Sequence, residues 1–520
     1  MVRKLGVVVA VPALLALMVG PASAQDAKAV LQAASKAMGN LKSVQITGTG
    51  WNAAVGQSFS QEEDWPRFEV TRYARTIDFE ARTSREEFTR RQGNNPPQGG
   101  GGTPLQGEQQ QVFMVSGTSA WNMVDGKPVP QPGQYLAGVT VAEFRQLDLL
   151  LTPHGFLRAA MAASNATAVS LTLGSPTGGV TPNGKQTLVS FTAMGKYRVV
   201  GTFDDQNLLA LVHTWVPNPV YGDMLYELRY TNYKDFGGVK FPTVLHIHQG
   251  DPRLMVAHNS MEITLTNVQP NISVPAVTVP AEVMKATAPP VRAESQKLAD
   301  GVWLVAGGTH NSLAVDFRDF VTVIEAPLNE ERSLAVLAEV GRLIPNKPIR
   351  YIVNTHHHFD HSGGLRTYLA QGATVVSHQA NRDFLENVLF DPSARTMMPD
   401  RFSMYYPYFS GGRRPLPIEA VNQKYVISDG VRTIDLHPMQ GLNHHAGMLL
   451  VYFPKEKILV NADLYTPPAQ GATAPAPNAN MRSLQANIQR LKLDVGQHVP
   501  IHGQPGPAAQ FVQIVGTGTN

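Results

Sequence analysis

The chain of 520 residues contains no cysteine. Disulfides, thiolate nucleophiles, iron–sulfur clusters and cysteine-ligated zinc are therefore excluded, and any metal must be held by histidine, aspartate or glutamate. Charge is scarce too: charged residues are 16% of the chain and the formal net charge is +3. With no basic excess and no Lys/Arg-rich run, no nucleic-acid partner is expected. Long apolar runs are missing except at the start. Residues 5–20 are apolar, behind Arg3 and Lys4 and ahead of Ala22-Ser23-Ala24, an A-x-A cleavage pattern. Residues 1–24 thus read as a secretory signal, its apolar run short for a span of about 20 residues. The mature chain is expected to begin near Gln25, to have no membrane span, and to be exported to a bacterial periplasm. Losing Arg3 and Lys4 brings its net charge to about +1. The 43% hydrophobic content over this length is ample for two or more cored domains.

Residues 25–290 read as one α+β domain. Helical spacing over residues 26–38 ends at Gly39-Asn40. Strand-like segments follow at 43–50, 68–83 and 112–123, and the Gly-, Pro- and Gln-rich stretch 91–111 reads as a mobile hairpin loop. A second helical region, 141–164, is interrupted at Thr152-Pro153. Seven further strands are expected between 169 and 268. Long antiparallel strands with a few packed helices indicate a half-barrel or strongly curved sheet, a layout that resembles lipoprotein-carrier-like periplasmic sheets. His246 and His248 alternate on one of these strands and read as structural or solvent-facing, with no third ligand evident nearby. The Pro/Val/Ala-rich stretch 270–290 marks a boundary, and strands then alternate with helices over 291–520, an α/β layer domain.

Of the 16 histidines, 11 lie between His310 and His502. The apolar segment 349–354 runs into Thr355-His356-His357-His358-Phe359-Asp360-His361-Ser362-Gly363-Gly364, so four metal-competent residues fall within six positions after a strand. His356 and His358, two apart, can grip one ion from an extended loop while Asp360 and His361 turn toward a second. Neutral imidazoles with a carboxylate suit Zn²⁺. Three more residues complete a site: His444 in Gly441-Leu442-Asn443-His444-His445, Asp463 in Asn461-Ala462-Asp463, and His502 in Pro500-Ile501-His502-Gly503.

The His-x-His-x-Asp-His motif, with these ordered downstream residues, resembles the metallo-β-lactamase superfamily over about residues 295–505. The resemblance implies an αββα sandwich with a dinuclear site at one edge of its two sheets. It implies two Zn²⁺ per chain: His356, His358 and His444 on the first, Asp360, His361 and His502 on the second, and Asp463 bridging. His357 reads as a spacer, and His310, His378, His437 and His498 as structural. The implied chemistry is hydrolysis by a metal-bridging hydroxide, with Asp360 as the catalytic residue that orients it and passes its proton to the leaving group.

A carboxylate at Asp463, where two β-lactamase subclasses carry cysteine, points to lactonases and related esterases or phosphodiesterases. The expected substrate is a small ester, lactone or related acyl compound. A β-lactam hydrolase and a periplasmic carrier with an accessory zinc domain are the alternatives. The aromatic-rich stretch 387–422 reads as a lid that would give the substrate an apolar wall, or as a packing loop. Oligomeric state is not legible.

Overall fold

The computed structural model describes residues 23–136, 138–173, 184–253, 255–389, 395–405, 417–469 and 471–516. The expected signal lies outside these residues, apart from Ser23 and Ala24. These two open a strand, Ser23–Gln25, that pairs with Thr167–Leu173. Of the expected lid, residues 390–394 and 406–416 lie outside them too, including Tyr406, Tyr408, Phe409, Arg413 and Arg414.

The first half is built on an antiparallel sheet of fourteen strands, with a small two-stranded sheet of Gln134–Leu136 and Val139–Thr140 beside it. From Thr167–Leu173 to Asn259–Pro270 neighbouring strands follow chain order. Asn259–Pro270 then pairs with Ser43–Ala53, and the sheet continues to Lys127–Pro130. The expected strand 68–83 is two strands. Asp78 Oδ1 accepts from the amides of Glu80 and Ala81, and Arg82 takes φ 55°, so the chain reverses between Arg67–Asp78 and Thr83–Arg91. The stretch 112–123 likewise turns at Gly117. Asp26 caps the helix Ala27–Met38 through the Lys28 amide. The second helical region breaks at Thr152 as expected, with Pro153 at the start of Pro153–Ala162. These helices cover one face of the sheet around Met38, Leu147, Phe156, Val199 and Phe203.

The second half has a seven-stranded sheet from Glu294–Ala299 to Ile418–Val421 and a six-stranded sheet from Tyr425–Ser428 to Gly506–Pro507. Leu304, Leu313 and Val315 of one share a core with Leu449, Val451 and Leu459 of the other. Helices Glu330–Leu343 and Arg382–Leu389 pack outside the first sheet through Val336, Val340 and Leu385. Ala479–Leu491 packs on the second through Leu484. This is the four-layer αββα arrangement, preceded by a sheet-rich region. Among the described residues, no helix is long and apolar enough to cross a membrane.

A candidate metal centre at the sheet edge

The strand Ile349–Val353, buried at its last two residues, ends at Asn354, whose side-chain amide donates to the His361 carbonyl (3.2 Å). The Thr355 amide donates to Glu325 Oε1 (2.7 Å), and the chain then crosses the sheet edge into the short helix Phe359–Ser362. Two clusters of facing ligand atoms result: His356, His358, His444 and Asp463 in one, and His310, Asp360, His361 and His502 in the other. Asp463 joins them. Its Oδ2 lies 3.1 Å from Nε2 of both His356 and His444 and 3.0 Å from Nε2 of His361, and its Oδ1 lies 2.8 Å from His502 Nε2. Asp463 sits at φ 59°, a left-handed conformation that aspartate tolerates better than most residues. Asn461 accepts from the Tyr465 amide and closes the turn around it.

Several ring nitrogens turned away from the clusters are occupied. His358 Nε2 donates to the Ser58 carbonyl (2.9 Å), which leaves its Nδ1 lone pair facing His356 Nε2 at 2.9 Å. His361 Nδ1 donates to Glu325 Oε2 (2.5 Å), and both side chains are fully buried. Outer hydrogen bonds of this kind set the tautomer and aim of metal-binding histidines. Asn311 holds the His502 loop, donating to the carbonyls of Pro500 (3.1 Å) and Gly503 (2.7 Å).

The electrostatics ask for cations at the same points. Burial drives His356 down to about 3 and His358 well below the usual imidazole range, so both rings are neutral and can ligate. Burial opposes the charge on Asp463, but His361 and the hydrogen-bonding His356 and His444 outweigh it and hold the carboxyl well below its usual range. At Asp360 burial is likewise outweighed, by His361 and His310. Burial also disfavours a charged His361, but Asp463, Asp360 and Glu325 together push its pKa well up. Facing imidazole lone pairs and ionised carboxylates fit divalent cations of the borderline class.

All seven residues expected at the site, His356, His358, Asp360, His361, His444, Asp463 and His502, fall in these clusters. His445 does not; its Nε2 lies 2.8 Å from His357 Nδ1. His357 is fully buried, with Ser58 Oγ at 3.1 Å from its Nε2. The reading of His310 as structural is corrected: its Nε2 lies 3.2 Å from Asp360 Oδ2, in the second cluster. A lone histidine fifty positions from its partner leaves no local pattern to read.

Sequence reasoning also missed what the first half contributes. The loop 54–66 between Ser43–Ala53 and Arg67–Asp78 reaches the clusters. Gln57 Nε2 donates to Asp360 Oδ1 (2.8 Å), and its Oε1 accepts from the Gly101 amide (3.0 Å). The stretch 91–111, read as a mobile hairpin loop, does connect paired antiparallel strands, and its Gly99 amide donates to the Asn443 carbonyl (2.8 Å) beside His444. A Cβ on Gly100 would lie 2.8 Å from the His358 ring, so only glycine admits this approach.

Residues 305–500 match the sequence model of the metallo-beta-lactamase superfamily. This part of the chain belongs to that superfamily. The first half lies outside the match. A relative, the 2,4-dinitroanisole O-demethylase subunit alpha of Nocardioides sp. (strain JS1661), is 24% identical over 206 residues, which is 39% of this chain. The chain spans 55% of that relative's length. Among solved structures, a metallo-beta-lactamase from Pontibacter korlensis is 18% identical and covers 42% of this chain and 95% of its own, with a TM-score of 0.31. One from Hirschia baltica is 16% identical, covers 42% and 94%, and has a TM-score of 0.30. Within the matched superfamily region lie His/Asp clusters that could hold metal.

Proposed function

We propose that the chain is an exported dinuclear zinc hydrolase of esters, lactones or related acyl compounds, taking a small, apolar substrate. The carrying observation is Asp463, one carboxylate within hydrogen-bond distance of both clusters. His356, His358 and His444 would hold one ion, Asp360, His361 and His502 the other, and Asp463 both. Bound zinc supplies an activated water and polarises the substrate's acyl oxygen. The protein does the rest by positioning. Gln57 holds Asp360 Oδ1, so the ionised Oδ2 points into the second cluster, where it can accept a proton and orient the water. Glu325 and the Ser58 carbonyl fix the tautomers of His361 and His358. The apolar run and A-x-A pattern of residues 1–24 support export.

Purified full-length protein is assayed on lactones, aryl esters, phosphodiesters and β-lactams, with metal analysis and with and without a chelator. An aryl methyl ether joins the panel because the Nocardioides relative is named an O-demethylase. The expected result is two zinc per chain at these clusters and acyl-ester or lactone turnover that chelator removes and zinc restores. Chelator-resistant turnover, or fewer than two ions at these clusters, overturns the proposal.

A further inference from the structure

Three atoms that can each accept a hydrogen bond converge in the first half. Strand pairing puts Glu227 opposite His248 and Glu262 opposite His246, on the strands flanking Lys240–Gln249. Residues two apart share a face, so both histidines meet their carboxylates there. His246 Nδ1 donates to Glu262 Oε2 (2.7 Å), and His248 Nδ1 donates to Glu227 Oε1 (3.0 Å). Carboxylates accept only, so each ring carries a proton on Nδ1, and when neutral it presents an Nε2 lone pair. Those two Nε2 atoms are 2.7 Å apart. Asn259 Nδ2 donates to Asp64 Oδ2 (2.7 Å), which fixes the amide's orientation and aims Oδ1 at His246 Nε2 (3.2 Å). His248 is only 7% exposed, so water does not separate these groups freely. Three lone pairs at such distances repel unless something positive sits among them.

We propose that His246 Nε2, His248 Nε2 and Asn259 Oδ1 form a third metal site, for a borderline divalent ion such as Zn²⁺ or Cu²⁺, apart from the two catalytic clusters. Two imidazoles and an amide oxygen suit that ion class, with solvent completing the coordination. Each histidine is backed by a carboxylate, the arrangement that orients metal-binding imidazoles and raises their basicity. Burial opposes the charge on Glu227, but His248 and Arg229 outweigh it and keep its pKa low, so the carboxylate is ionised to accept. The site braces the loop that reaches the catalytic clusters. Asp64, which holds Asn259, lies in loop 54–66, and the Ala54 amide donates to the Pro66 carbonyl (2.9 Å) to close its neck.

The test counts metal. Full-length protein is equilibrated with Zn²⁺, dialysed and analysed beside His246→Gln and His248→Gln. Each variant is expected to hold one ion fewer per chain than the parent. That difference of one is read whether or not the catalytic clusters fill, so failure of the hydrolase reading is seen separately, as a lower total in the parent. Equal metal content in parent and variants overturns the third site. Should a variant not fold, parent crystals grown with Zn²⁺ decide through anomalous scattering at the zinc edge. A peak at the typical ~2.0–2.1 Å zinc–nitrogen distance from both Nε2 atoms supports the site. No peak there overturns it, and leaves a proton shared between the two rings.

Discussion

Asp360 and His356 carry most of the proposed chemistry, and each is exposed to a sharp test. His356→Ala and Asp360→Ala should each lower zinc-dependent hydrolysis by more than the 10–100-fold that loss of an outer-shell partner costs. Wild-type turnover by either variant would contradict the assignment. Gln57 acts one step further out, through its bond to Asp360. Gln57→Ala should fall within the 10–100-fold range in metal affinity or activity. Chelator competition checks whether the loss lies in metal holding, and Gln57→Glu, which places a second carboxylate beside Asp360, should be worse than alanine. The motif residues were legible because their spacing is itself the chemical requirement. Glu325 and Gln57 were not, since a glutamate after a strand and a glutamine in a loop look ordinary until the chain folds them against His361 and Asp360.

Among elements, loop 54–66 depends on one glycine. Gly56 has φ 78°, and a Cβ there would lie 2.3 Å from the Phe359 ring, while its carbonyl accepts from the Phe359 amide (3.1 Å). Gly56→Ala should cost about 1–2 kcal/mol from the backbone conformation alone, plus the displacement of Phe359 next to Asp360. Thermal melting and turnover should fall together; a melting loss with unchanged activity would show the loop to be a bystander. A second element, Leu365–Leu369, is anchored by Arg366, which reaches Asp400 through Nε (2.5 Å) and Nη2 (2.9 Å). Burial opposes the charge on Asp400, but Arg366 and Arg395 outweigh it and lower its pKa to about 2. A carboxylate depressed in the folded state stabilises fully above its unfolded pKa of about 3.9 and loses that contribution as pH falls through the folded value. Asp400→Asn should therefore cost roughly 2.5 kcal/mol at neutral pH, by the usual 1.36 kcal/mol per pKa unit, with the difference from wild type vanishing below about pH 2. Denaturant melts at pH 7 and pH 2 measure it.

Across the whole molecule the two halves are joined by hydrogen bonds between their backbones and side chains. The Ala446 amide donates to the Phe59 carbonyl (2.8 Å), and Arg395 donates to the carbonyls of Pro219 (3.0 Å) and Val220 (2.8 Å). Metal at the clusters should thus stabilise both halves. Ligand at a hundred times its Kd adds about 2.7 kcal/mol, so chelation should lower Tm by a few degrees. Probes in each half, such as Trp65 in the loop and Trp303 in the first sheet of the second half, should shift together. Independent transitions would show that the junction carries no coupling.

By itself the sequence determined which donor types a metal site could use, and the layering. The absence of cysteine left only histidine and carboxylate donors, the spacing of His356, His358, Asp360 and His361 placed four of them on one loop, and apolar periodicity laid out the strands and helices. Those features are local, and local spacing survives in one dimension. The tertiary structure alone decided that His310 joins the second cluster, that Glu325 and Ser58 aim the ligands, that His246 and His248 meet Asn259, and that the first half closes over the second. Each of these joins residues far apart in the chain, and such pairs acquire meaning only when burial and hydrogen bonding bring them within a few ångströms.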